Sequence, residues 1–141
     1  MKFSRNAVFL LVLLNSTLAI AENLTVKVVG ISKAVGNVHI ALYNDSSHFP
    51  KREGMLEKAI VPVRNQTVTW VFRNLSEGHY AVATYHDANG DHEFNQGFLG
   101  LPLEDYGFSM DATGFLSAPD FSDAAFTISG LDRTIIIDLD P

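Results

Sequence analysis

Apolar and polar residues alternate with a period of two in two parts of the chain. Leu24, Val26 and Val28 alternate with Thr25 and Lys27, and Val68, Trp70 and Phe72 alternate with Thr67, Thr69 and Arg73. Successive side chains of a strand point to opposite faces, so each stretch predicts a strand with one buried face. Both strands should line the core, and Trp70 is expected among the core residues. Short runs rich in Val, Ile, Thr and aromatics recur between turn signals and predict strands at 24–29, 37–43, 58–63, 67–73, 79–86, 124–129 and 134–139. That spacing predicts an all-β fold: an antiparallel Greek-key β-sandwich of about seven strands with one long ordered connection between the last strands.

The turns agree with the strands. Ala34-Val35-Gly36-Asn37 and Ser129-Gly130-Leu131-Asp132 supply residues tolerant of positive φ, and Arg64-Asn65-Gln66 separates two runs as a hairpin loop would. Only 46–58 reads as locally helical, with Ser46 or Ser47 as a cap, while Pro50 and Gly54 keep any helix short. Leu75, Gly78 and Tyr80 have the spacing of the tyrosine corner of secreted sandwiches, where the phenol ties back onto the turn backbone. Between the strands ending near His86 and starting near Ala124, residues 87–123 form a connection far longer than the usual loop. Phe94, Phe98, Leu99, Leu101, Tyr106, Phe108, Phe115, Leu116 and Phe121 argue against disorder there and predict that it folds over one end or face of the sandwich.

The N-terminus has a different pattern. Lys2 and Arg5 precede the apolar run 7–14, and Ala19-Ile20-Ala21 supplies the small-residue order read by signal peptidase. Residues 1–21 are therefore expected to be a cleaved secretory signal, and 22–141 one β-sandwich domain beginning at Glu22. No later run is long and apolar enough to span a bilayer, so no transmembrane segment is expected after cleavage, and the protein should be periplasmic or extracellular. Losing Lys2 and Arg5 leaves eight basic against 16 acidic residues, a net charge of −8. Nucleic acid and anionic membrane are poor partners for such a surface. With no cysteine, the fold must be held by its core alone.

The long connection opens with the densest polar cluster of the chain. Asp87, Asn89 and Asp91 occupy the first, third and fifth places of an oxygen-ligand loop, with Gly90 turning it and the Glu93 carbonyl at the seventh place. Calcium is the expected ion. His92 stands where an EF-hand has Gly and Phe98 where it has a bidentate Glu, so an EF-hand is rejected. The competing reading is a metal-free turn in which Asp and Asn side chains satisfy their own backbone. A transition-metal site through His86 and His92 with Asp87 or Asp91 is a further alternative, making the protein a periplasmic carrier of zinc or copper. Glu104 and Asp105, acting with Asp87 or Asp91, offer the carboxylate pair of a small hydrolase of glycans. No nucleophile elbow, zinc-protease helix motif or phosphate loop is present, so the leading expectation is non-catalytic. The Asn-x-Ser/Thr matches at Asn23, Asn65 and Asn74 matter only in a host that glycosylates.

Five ordered motifs then carry a resemblance over essentially the whole mature chain: Tyr80-Ala81-Val82-Ala83, His86-Asp87-x-Asn89-Gly90, Gly100-Leu101-Pro102-x-Glu104, Tyr106-Gly107-Phe108-Ser109 and Pro119-x-Phe121-x-Asp123-Ala124. The chain resembles domain-of-unknown-function family 2141 of exported bacterial proteins. The resemblance implies a β-sandwich of prealbumin or carboxypeptidase-regulatory type without an established activity. In that family the acidic turn more often reads His-Asp-x-Asn-x-Asn-Gly-x-x-Asp. Here Asp91, His92 and Asn95 stand in for the second Asn, the Gly and the last Asp. The added charge at Asp91 favours a cation, and the loss of Gly at His92 disfavours the usual turn. The expected role is an exported module that binds a small ligand, a glycan or an envelope protein through 87–123, with the acidic turn at its start either a calcium site or a metal-free turn.

Overall fold

The computed structural model describes residues 21–139, so the expected signal segment, apart from Ala21, lies outside the described residues. Eight strands follow in order: β1 (Glu22–Val29), β2 (Asn37–Tyr43), β3 (Glu57–Pro62), β4 (Val68–Leu75), β5 (Gly78–Asp87), β6 (Tyr106–Phe108), β7 (Phe126–Ile128) and β8 (Arg133–Asp138), with one helical turn α1 (Phe121–Ala124) before β7. One sheet has the order β4-β1-β8 and the other β3-β2-β5-β6, with β7 pairing residues 78–80 of β5. The chain thus crosses between two sheets repeatedly, as a Greek-key sandwich does. Among the described residues no helix is long and apolar enough to cross a membrane.

The alternation read from the sequence is the packing principle. Leu24, Val26 and Val28 of β1 are wholly buried, and they meet Val38, Ile40 and Leu42 of β2, Val82 of β5 and Ile135 and Ile137 of β8 in one apolar core. The corner also forms as expected, with Tyr80 donating its hydroxyl to the Ser76 carbonyl at 2.8 Å.

Several expectations are corrected. The sandwich is not wholly antiparallel, because β8 runs parallel to β1 with Val26 beside Ile135. First and last strands are joined by the whole chain, so no hairpin forces them to run oppositely. Trp70 is 40% exposed rather than buried. It has the core-facing parity of Val68 and Phe72 and pairs with buried Val26, but β4 is a sheet edge, and Trp70 lines a shallow depression there with Glu57 and Arg73. The expected strand at 124–129 begins only at Phe126, since the Ala124 carbonyl is taken by the Ser109 hydroxyl and α1 precedes it. In 46–58 only Arg52–Gly54 forms a 3-10 turn, and neither Ser46 nor Ser47 caps it. Instead the Asp45 carboxylate accepts the Ser47 N–H at 2.9 Å.

The long connection does cover a face, but with only part of its apolar residues. Tyr106 and Phe108 of β6 lie beside Tyr85 and Ala83 of β5. Rings in edge or tilted contact run Tyr85–Phe94–Tyr106–Phe108–Phe49, and Phe121 packs on Phe49. This ladder covers the face of β5 that points away from the core. Phe98, Leu99, Leu101, Phe115 and Leu116, by contrast, project into solvent, Phe98 and Leu99 at 86% and 83% exposure.

Candidate functional site

Strand parity selects which side chains meet at the C-terminal end of β5. Tyr80, Val82, Thr84 and His86 share one face, and Ala81, Ala83, Tyr85 and Asp87 share the other. Asp87 is wholly buried even so, because the loop that follows folds back onto it. Its Oδ1 accepts the Gly90 N–H at 2.7 Å and its Oδ2 the His92 N–H at 2.9 Å. Gly36 makes the fit on the other side: it has φ +71°, and a Cβ there would sit 2.0 Å from the Asp87 carbonyl oxygen.

The expected oxygen ligands do come together. The Asn89 Oδ1 accepts the Asp91 N–H at 3.1 Å, and Asp91 accepts the Glu93 N–H at 2.9 Å on one oxygen and the Asn89 and Asn95 amides at 2.9 and 3.1 Å on the other. Each of these bonds also belongs to the metal-free turn. Glu93 takes part here through its N–H. His92 adopts φ 64°, so the turn forms with a left-handed histidine where glycine was expected to be needed.

A third carboxylate joins from Glu104, which the sequence suggested only for hydrolysis. The isolated bridge between Gln96 and Pro102 folds the loop into a narrow excursion that returns Glu104 to its base. There its Oε2 accepts the Asn95 N–H at 3.0 Å. Asp87, Asp91 and Glu104 each present an oxygen within 4.8 Å of the others. Among the described residues no Lys or Arg forms an ion pair with any of them. Asp105 points elsewhere, accepting the Ser32 hydroxyl at 2.8 Å, so the Glu104 and Asp105 pair does not act at one place.

Charge accumulates accordingly. Burial raises the Glu104 pKa, and the carboxylates of Asp87 and Asp91 push it further up against the opposing Asn95 hydrogen bond. Burial would also raise Asp87, but the N–H groups of His92 and Gly90 together with His39 hold it below the ordinary carboxylate value. The Glu93 N–H and the Asn95 amide lower Asp91. Tyr85 beside them is pushed up to about 12, by burial and then by the same carboxylates.

Of the two histidines proposed from sequence, the structure brings only one to the cluster. His86 precedes Asp87 by one residue and so lies on the opposite face, where its Nε2 meets the Val35 carbonyl at 2.8 Å. His92 stays, and its companion is His39 of β2. The register sets His39 opposite Tyr85, on whose ring it stacks at 4.5 Å and 18°. Its Nε2 lies 3.2 Å from Asp87 Oδ2. Burial lowers the His39 pKa, with Asp87 opposing that shift. No local spacing flags His39, which lies 48 residues from Asp87.

A search of curated proteins finds no match to the chain. Among solved structures, a pilus-presented adhesin, Spy0125 (Cpa), is similar at 16% identity and a TM-score of 0.35, over 89% of this chain and 28% of the adhesin. The chain thus spans little more than a quarter of that protein. The family model of uncharacterized proteins conserved in bacteria matches residues 26–136, which takes in both sheets and the acidic turn, and the chain is a member of that family, DUF2141.

Proposed function

We propose that the chain is an exported, non-catalytic binding module that offers the 87–123 connection to a small ligand, a glycan or an envelope protein and holds its base with calcium. The observation that carries this reading is the build of the loop after β5: three clustered carboxylates at its base and exposed Phe98, Leu99, Leu101 and Leu103 beyond them. Large apolar side chains left in solvent on an ordered loop are a common mark of contact surfaces. Two carboxylates about 4 Å apart repel by about 1 kcal/mol even in water, and a hard divalent cation among oxygen donors relieves that repulsion. Asp87, Asp91 and Glu104 would supply the charge and Asn89 a neutral oxygen, with the Glu93 carbonyl as a further donor.

Extracellular calcium sites typically bind at about 0.1–1 mM. At ten times the dissociation constant, occupancy adds about 1.4 kcal/mol, a rise in Tm of several degrees for a domain of this size. The test is thermal melting of wild type and Asp91→Ala with millimolar calcium or with chelator, paired with chymotrypsin cleavage near Phe98 and Leu99. Calcium should raise Tm and slow cleavage in wild type and do neither in Asp91→Ala. Equal Tm in chelator and in excess calcium for wild type would refute the calcium clasp.

A further inference from the structure

We propose that His39, Asp87 and His92 form a second metal site, for a divalent transition ion of the imidazole-preferring class, with zinc as its simplest occupant. His39 Nε2 lies 3.2 Å from Asp87 Oδ2, His92 Nδ1 lies 3.4 Å from His39 Nε2, and His92 Nδ1 lies 3.7 Å from Asp87 Oδ2. Around a tetrahedral zinc with bonds of about 2.0–2.2 Å, neighbouring ligand atoms are about 3.3–3.6 Å apart. The three observed separations bracket that range, and the centre of the triangle they form is about 2.0 Å from each atom, so an ion slightly off its plane has bonds of about 2.1 Å.

Hydrogen bonding accounts for this triangle poorly. The single proton on His39 Nε2 can point at Asp87 or at His92, and a proton on His92 Nδ1 would face Asp87 across 3.7 Å, beyond good hydrogen-bond length. Three electron-rich atoms therefore converge with too few protons between them, and one cation at their centre satisfies all three. The donors are also held in place. His39 is fixed by stacking on Tyr85 and the Asp87 carboxylate by two backbone N–H groups, while His92 sits on a left-handed backbone that a histidine adopts at a cost. Two imidazoles and a carboxylate suit zinc, copper or non-haem iron, and three protein ligands leave a position for solvent or ligand. The His92 side chain is 58% exposed, so solvent reaches the site from that side. The site shares Asp87 with the carboxylate cluster but uses neither Asp91 nor Glu104.

The test is calorimetric titration of the purified protein with zinc in the presence of excess calcium, on wild type, His39→Gln, His92→Asn, Asp91→Ala and, as a control on a distant histidine, His79→Gln. Asn tolerates the left-handed backbone at position 92, and circular dichroism shows whether each variant is folded. One zinc per chain is expected in wild type, Asp91→Ala and His79→Gln. Affinity should fall by more than about tenfold in His39→Gln and His92→Asn, since loss of a ligand costs at least as much as loss of its supporting partner. Cobalt in wild type should give the intense visible bands of four-coordination, and lose them in both histidine variants. Absence of stoichiometric zinc binding to wild type, or unchanged affinity in either folded histidine variant, overturns the proposal. The Asp91→Ala arm separates it from the calcium reading, because that variant should lose the calcium response and keep the zinc.

Discussion

Gly36→Ala should be among the more damaging single-methyl changes in the domain, and its cost can be built from two contributions. The first is conformational: alanine at φ +71° is held in the left-handed region at roughly 1–2 kcal/mol. The second is steric, since the new Cβ would sit 2.0 Å from the Asp87 carbonyl oxygen and 2.9 Å from Ala88 Cα, both backbone atoms that no rotamer change can move. Reaching ordinary contact requires a retreat of about 1.4 Å, enough to open the Val63 N–H bond to the Gly36 carbonyl, now 3.0 Å, at a further cost of about 1 kcal/mol. The total is about 2–3 kcal/mol, or a Tm lowered by about 10 °C. Gly130→Ala is the internal standard, because Gly130 has φ +73° and nothing within 4 Å of its virtual Cβ. It should lose only the conformational part. Urea unfolding followed by circular dichroism gives both values as shifts in midpoint at constant slope. If Gly36→Ala is no more destabilising than Gly130→Ala, the close packing of the β2 entry against Asp87 is not real.

Three further outcomes follow from the fold. Trp70→Ala should cost about 2 kcal/mol in urea unfolding, below the roughly 3–5 kcal/mol of a fully buried aromatic; a loss above about 4 would put the indole back in the core. Tyr80→Phe should lower stability by about 1 kcal/mol by removing the hydrogen bond to Ser76, with no change in secondary structure by circular dichroism. The Asp45 carboxyl is lowered to about 2 by the Ser47 and His48 hydrogen bonds. Its ionised form therefore contributes stability that is fully present above its unfolded value of 3.8 and is lost as pH falls through about 2. The stability difference between wild type and Asp45→Asn should shrink across that window in acid titration, and a difference that stays constant refutes the assignment.

What the sequence made legible was the set of longer strands, each a β-rich run between turn signals, two of them with apolar and polar residues alternating at a period of two. β1, β2, β3, β4, β5 and β8 each run for six residues or more, and the ranges expected for them match their ends to within two residues. β6 escaped because it is three residues long with Gly107 at its centre, which reads as a breaker. The structure gives that glycine a different reason, since a Cβ on it would meet Ile137 Cγ2 at 2.7 Å where the edges of the two sheets close together. Trp70 shows the limit of parity itself. Parity fixes the face of a sheet to which a side chain points, whereas exposure also depends on whether another strand lies beyond it, and nothing local to 67–73 marks β4 as an edge.

The site divides along the same line. Asp87, Asn89 and Asp91 were legible because their geometry is local: one turn brings them together, and the turn residues are adjacent in sequence. His86 stands one place before Asp87 in the same strand, so strand parity alone turns it to the other face and away from the cluster. His39 needed more. Its place depends on the register of β2 against β5, in which His39 faces Tyr85 and Asn37 faces Asp87, and that register is set by the core positions Val38, Ile40 and Leu42 all facing inward at once. Slipping β2 by one residue would turn those three into solvent and carry His39 into the core. The apolar face therefore holds the imidazole beside Asp87, and the side chains that place this candidate ligand point to the opposite face of the same strand.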